Sequence, residues 1–248
     1  MTGVKVANPG SGRAETVDGW SEQMQGWIDH GAYRHYARLR VLEELYAERP
    51  FASYLDVGCG SGALLQEFVE REVHCVGFDR SQAIMAYNND RGIFPGFVGE
   101  VDHLPLADSS FEMLSCLGLI EHLPDPVAAL RELLRVMVPG GRAIITVPRL
   151  FSVFPLLVPL WFFSEGRYRH GWKSMVGHMY QRREFAAQLR SAGWHVEHLM
   201  AFKAGSVLDW LRIPFAKGLA DCCERDLRGV NPLNIMLLAV CRKGDDLS

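Results

Sequence analysis

Residues Tyr54 to Leu65, YLDVGCGSGALL, form an apolar run that ends in an acid and passes straight into three glycines and a helix, a form few folds accommodate. Tyr54, Leu55 and Val57 fit a buried strand. Gly58, Gly60 and Gly62 allow positive φ and let a ligand approach bare backbone. Ala63 to Val69 then open a helix whose first N–H groups face the turn. A strand, turn and helix of this kind build a ligand pocket at the edge of an α/β sheet.

The glycines alone do not choose the ligand, because GCGSGA also satisfies the dinucleotide pattern G-x-G-x-x-G/A. Asp56 does more. A pyrophosphate would lie against this turn and helix N-terminus, and a carboxylate two residues before the first glycine repels it. An adenosyl sulfonium with a free ammonium group is attracted instead. An Asp that only caps its own turn is the alternative. Downstream, Val73 to Phe78 form a second β-rich run ending at Asp79. That is about 20 residues past the glycines, the offset at which an acid reaches a ribose diol.

The segments DVGCGSG, GFD, GEVDHLPLADSSFE, LIEHLPDP and VPGGRAIITVP follow in this order. Together they resemble the class I S-adenosylmethionine-dependent methyltransferases, in particular the small-molecule branch that includes ubiquinone-biosynthesis C-methyltransferases (the methyltransferase type 11 domain). The resemblance covers residues 50 to 150, with a weaker echo to the C-terminus. It implies a Rossmann-like, doubly wound α/β domain with a mostly parallel seven-stranded sheet in the order 3-2-1-4-5-7-6. It also implies S-adenosylmethionine as cofactor and S-adenosylhomocysteine as product. Carried over residue by residue, it assigns the methionine end of the cofactor to Asp56, Gly58, Cys59 (through its backbone) and Gly60. The ribose falls to Asp79, the adenine amino group to Glu100 and the ring to the backbone N–H of Val101, with Arg80 and Leu117 also lining the site. The family usually has Asp where this chain has Glu100, which leaves Asp102 as a rival for the adenine contact. Aligning Leu104-Pro105 with the family's Leu-Pro favours Glu100.

With 248 residues, 48% of them hydrophobic, the chain suits one large domain. A net charge of −3 gives no footprint for nucleic acid, so a DNA or RNA substrate is not expected. Six cysteines show no C-x-x-C pair, which fits buried thiols in a reducing cytoplasm and no metal centre. Residues 1–19 read as a disordered tail without a leader sequence, and 20–248 as the methyltransferase domain. Within it, 20–50 read as N-terminal helices, 51–149 as the cofactor-binding core, 150–181 as an acceptor-side insertion, and 182–248 as a C-terminal helix and strands. Strands are expected near 53–57, 73–79, 94–98, 111–117, 142–147, 195–202 and 235–241, the fifth entered through a Pro139-Gly140-Gly141 turn. Helices are expected from Ser61 and Ser81, over 127–137 and over 183–192.

In the insertion, Leu150 to Phe163 carries no charge for fourteen residues. It is shorter than the roughly 20 residues a membrane span needs and is interrupted by Pro155 and Pro159, so no transmembrane segment is expected. An apolar lid over a lipophilic or aromatic small-molecule acceptor is one reading, and a buried connection the other. Peripheral contact with a membrane interface stays open, as does recognition of an anionic acceptor by the Arg167–Lys173 segment. The candidate proton-transfer residues are Glu121 and His122, which follow the fourth strand at the sheet's ligand-binding edge, and His178. Packing or loop-pinning is the alternative for His122, and an exposed turn residue or a cap for His178. Tyr33 and Tyr36 are candidates to close over the cofactor or to pack in the core. An NAD-dependent oxidoreductase would use the same glycines and Asp79 but leaves Asp56, Glu100 and LIEHLPDP unexplained. A catalytically silent S-adenosylmethionine-binding protein would keep the pocket without turnover.

Overall fold

A computed structural model describes residues 36–92, 94–150, 177–202 and 236–245, and within them strand and helix alternate. The order is α1 (Tyr36–Glu48), β1 (Ser53–Val57), α2 (Ala63–Val69), β2 (His74–Asp79), α3 (Gln82–Arg91), β3 (Gly96–Val98) and β4 (Phe111–Leu117). A 3-10 turn (Ile120–His122) follows, then α4 (Pro126–Val136), β5 (Met137–Pro148), α5 (Arg182–Ser191), β6 (His195–Phe202) and β7 (Met236–Arg242). The expected helix before α1, most of the apolar insertion, the Arg167–Lys173 segment, Tyr33 and Cys222-Cys223 lie outside the described residues.

Local chemistry sets the helix starts. Ser81 caps α3, its side chain accepting from the Ile84 N–H at 3.3 Å. Asp125 caps α4, accepting from Val127 and Ala128 at 3.1 and 3.0 Å, with Pro126 as the first helical residue. Each side-chain oxygen satisfies an amide that the helix cannot.

The seven strands form one sheet in the order β3-β2-β1-β4-β5-β7-β6. β1, β2, β3, β4 and β5 pair in parallel, and β7 runs antiparallel to both β5 and β6. This is the order the resemblance implies. One strand differs from expectation. Pro139-Gly140-Gly141 does not turn the chain into β5 but lies within the strand, which begins at Met137. The reason is cross-strand pairing, with Gly140 N–H donating to the Lys243 carbonyl at 3.1 Å and Lys243 N–H to the Gly141 carbonyl at 2.9 Å.

Strand alternation sends neighbouring residues to opposite faces. Leu55, Val57, Leu114, Cys116 and Ile145 join α4 and α5 in one core, which holds Leu130, Leu133, Phe185 and Leu189. Tyr54, Met113, Ile144 and Leu238 join α1 and α2 in the other, with Leu42, Leu45, Leu65 and Phe68. Both faces are covered, as parallel sheets require. Strand order reverses between β1 and β4, which opens a crevice at their carboxyl ends.

Candidate active site

The turn after β1 is drawn into shape by its own backbone. Gly58 and Cys59 both donate to the Phe78 carbonyl, at 2.7 and 3.1 Å, and Gly62 donates to the Cys59 carbonyl at 2.9 Å. Gly60 N–H goes to Asp79 Oδ2 at 3.1 Å, while the Gly60 carbonyl accepts from Asn88 Nδ2 at 2.7 Å. The amides of residues 58–60 therefore serve the fold. Gly58 and Gly62 each have a left-handed φ, +77° and +71°, at which a side chain is strained. A Cβ on Gly58 would lie 2.7 Å from Leu119 Cδ1, and one on Gly62 would lie 2.2 Å from the Phe94 ring.

Two acids mark the strand ends. Asp79 is half-buried, its Oδ1 accepting from Ser81 N–H at 2.9 Å and its Oδ2 from Gly60. Each oxygen retains a lone pair for a diol. Asp56 is buried, and its Oδ1 accepts a short hydrogen bond from the Ser115 hydroxyl on β4. Burial drives the Asp56 carboxyl up to about 7, opposed by the Ser115 hydrogen bond and the charge of Arg38, and assisted by Asp79.

Across the crevice, Gly118 N–H donates to the Thr146 carbonyl at 3.2 Å as the chain leaves β4, and the 3-10 turn follows. Its Glu121 is buried, with Oε2 unpartnered among the described residues. Burial raises that carboxyl to about 7, against the pull of Arg38. His122 is 39% exposed at its side chain, with Nε2 4.0 Å from Glu121 Oε1. Partial burial and then the Arg80 charge hold its pKa below the usual imidazole value. His122 is therefore a neutral imidazole near pH 7, able to accept a proton.

His178 arrives on a separate segment clamped to this turn. Its N–H donates to the Glu121 carbonyl at 2.8 Å, and a Cβ on Gly177 would lie 2.0 Å from that same oxygen. The His178 ring is 56% exposed and holds Glu184 Oε1 at 2.6 Å. Tyr180 N–H donates to the Pro148 carbonyl at 2.9 Å, and Leu150 N–H to the Tyr180 carbonyl at 3.0 Å. Leu150 and the 177–180 segment, both in the expected 150–181 insertion, thus meet beside Glu121 at the carboxyl edge of the sheet.

The remaining expected residues are spread along the same edge. Leu117 is half-buried at the end of β4 and Arg80 is exposed after β2. Glu100 is exposed, its carbonyl accepting from His103 N–H at 3.2 Å in the turn after β3, and Val101 is buried. Asp102 lies 3.3 Å from His103 Nδ1. Among the described residues no cluster of three or more His, Cys, Asp or Glu could hold a metal ion, and no helix is long and apolar enough to cross a membrane.

Three contributors were not singled out from sequence. Arg38 of α1 sits over the Phe202 ring, 5.7 Å from its centroid, and its charge acts on both Asp56 and Glu121. Asn88 is 1% exposed and grips Gly60, while its own Oδ1 has no partner among the described residues. Ser115 reaches Asp56 across the crevice. Of the three only Ser115 left a signal, as a polar residue in an otherwise buried strand.

A methyltransferase domain model matches residues 55–145. The ubiquinone biosynthesis O-methyltransferase of Hahella chejuensis is 30% identical over 62% of this chain and 67% of its own length. A human probable tRNA methyltransferase 9B is 32% identical over 44% of this chain and 24% of its own. Among solved structures, an S-adenosylmethionine-dependent methyltransferase from Thermotoga maritima superposes with a TM-score of 0.62 at 17% identity, covering 91% of this chain and 97% of its own.

Proposed function

Because this chain belongs to the class I S-adenosylmethionine-dependent methyltransferases, we propose that it methylates a small, hydrophobic, phenol- or quinone-like acceptor at the carboxyl edge of β1 and β4. The observation that carries this reading is the convergence there of a bare glycine turn, two strand-end acids and the Glu121-His122 turn, beside Leu150, where the uncharged Leu150–Phe163 run begins.

The site suits the cofactor. The glycine turn has no room for a side chain at position 58 or 62, where a Cβ would press on Leu119 or Phe94, and the carboxyls of Asp56 and Asp79 beside it match a cation and a diol. Asp56, Gly58, Cys59 and Gly60 hold the methionine end in this reading, Cys59 as a buried wall of the turn. Asp79 takes the ribose, Glu100 and Val101 the adenine, and Arg80 and Leu117 flank it. When bound, the cofactor supplies an electrophilic methyl group on sulfur.

Methyl transfer from a sulfonium is an in-line displacement, so the protein's task is to align the acceptor and keep water away. The clamped 177–180 segment and Leu119 wall the crevice for this purpose. With a hydroxyl acceptor, neutral His122 takes the proton at Nε2, and Glu121 stabilises the imidazolium that results. His178 serves as the tie that holds the Glu121 turn in place. The ubiquinone-biosynthesis relative supports an aromatic hydroxyl, and the uncharged Leu150–Phe163 run supports an apolar one.

The test is transfer of labelled methyl from S-adenosylmethionine to a panel of catechols, phenols, hydroquinones, amines and bulk tRNA. Label on a hydroxylated aromatic supports the reading. Label on tRNA alone, or on polar amines alone, overturns the acceptor assignment while leaving the family intact.

A further inference from the structure

One set of buried polar groups has no part in the chemistry above. Tyr54 and Ser115 are both fully buried, on adjacent strands β1 and β4, and their hydroxyl oxygens lie 2.7 Å apart. Ser115 in turn bonds Asp56 Oδ1. Strand alternation puts all three on the α1 side of the sheet, and the register sets Asp56 directly opposite Ser115 across the crevice. An ionised carboxylate only accepts, so Ser115 donates to Asp56 and Tyr54 donates to Ser115. While Asp56 is ionised the chain of hydrogen bonds therefore has one direction, ending on the carboxylate. Phenylalanine and alanine would fill the same space without burying two hydroxyls, and buried hydroxyls are costly unless they are used.

We propose that Tyr54 and Ser115 are positioning residues: a two-hydroxyl relay that spans the point where strand order reverses and fixes the Asp56 carboxylate for the ammonium group of the cofactor. This rests on the reading of Asp56 as a contact of the cofactor's methionine end. With Oδ1 engaged by Ser115, the hydrogen bond from a ligand cation falls to Oδ2, so the relay sets the direction in which that bond is offered. The other titratable and charged groups that act on Asp56 are Asp79 on β2 and Arg38 on α1, and the carboxyl acts in turn on the thiols of Cys59, Cys75 and Cys116. Of the influences that favour the charged carboxylate, the Ser115 hydrogen bond is the largest, ahead of Arg38. Losing it shifts ionisation of Asp56 to higher pH.

The experiment compares the full-length protein with Ser115→Ala, Ser115→Thr and Tyr54→Phe by calorimetry, over a mildly acidic to alkaline pH series. Two probes are used. S-adenosylhomocysteine carries the ammonium group, and 5′-methylthioadenosine lacks the amino-acid end. Hydrogen bonds to charged groups imply that Ser115→Ala weakens S-adenosylhomocysteine about 10- to 100-fold near neutral pH. Its affinity should recover at higher pH than in the parent. Tyr54→Phe should show a smaller loss of the same kind, Ser115→Thr should restore binding by keeping the hydroxyl, and 5′-methylthioadenosine should bind all four proteins alike. Equal losses for both probes would mean a merely structural role and overturn the relay. So would an unchanged pH midpoint in both Ser115→Ala and Tyr54→Phe. A parent that binds neither probe would overturn the cofactor reading of the site itself, an outcome distinct from failure of the relay alone.

Discussion

Gly62 and Gly77 both lie against the far end of one ring, and alanine at each separates two reasons for needing glycine. Phe94 is 5% exposed, and a Cβ on Gly62 would meet its Cε1 and Cζ at 2.2 Å while one on Gly77 would meet Cε2 at 2.5 Å. Overpacking of this kind costs about 1–3 kcal/mol. Gly62 carries a second penalty, because its φ of +71° costs an L-residue about 1–2 kcal/mol. Against both, alanine restricts the unfolded chain, which favours folding by about 0.4–1 kcal/mol. Gly62→Ala should therefore destabilise by about 2–4 kcal/mol and Gly77→Ala by about 1–2 kcal/mol. Urea denaturation measures both, repeated in a Phe94→Leu background that removes the ring edges. There Gly77→Ala should keep only the smaller cost of its contacts with Cys59 Sγ at 3.0 Å and Leu65 Cδ1 at 3.1 Å, whereas Gly62→Ala should keep the left-handed penalty of about 1–2 kcal/mol. Equal costs for the two glycines, or full rescue of Gly62→Ala by Phe94→Leu, would refute the separation. Cofactor affinity should follow the same order, since Gly62 also sets the entry of α2 behind the turn.

Asp79→Ala should weaken S-adenosylhomocysteine about 10- to 100-fold, through the lost diol contact and a loosened Gly60; unchanged affinity by calorimetry would remove the ribose assignment. Asn88→Ala frees the Gly60 carbonyl but also removes an orphaned amide oxygen, so its melting temperature should fall little while cofactor affinity falls about tenfold, as for a lost hydrogen bond. Burial raises Glu121 from 4.5 to about 7, so the folded state holds its proton more tightly than the unfolded state and this group's contribution is lost as pH rises through that interval. Glu121→Gln should accordingly flatten the decline and be more stable than the parent above pH 7, by up to about 3 kcal/mol in denaturant titrations. His122→Ala should lower turnover about 100-fold or more with a hydroxyl acceptor, and the parent's pH–rate profile should rise through a midpoint below 6.5, since its imidazole is held neutral. A wild-type rate in the variant would end the base assignment.

What sequence reading could and could not find here follows from the range of the interactions. The glycine turn, Asp56 and Asp79 were legible because their signals are local: an acid at a strand end, glycines where φ is positive, a cap two residues on. Apart from β5, the described strands and the four helices after β1 begin within two residues of expectation, because their signals are local as well. β5 shows the limit, because Pro139-Gly140-Gly141 looks like a turn in isolation. Whether it turns or pairs is decided by Lys243, the residue that both donates to Gly141 and accepts from Gly140. Ser115 and Asn88 show the limit more sharply. Each looks like an ordinary polar residue on a strand or helix, and gains its role from partners 59 and 28 residues away. Arg38 sits in a helix of weak amphipathic pattern, yet its charge reaches two buried carboxylates on separate elements. Sheet order brings these groups together, since the reversal between β1 and β4 makes Asp56 and Ser115 neighbours. The residues that shape the pocket can thus be read along the chain, while those that tune it become visible only once the strands are placed side by side.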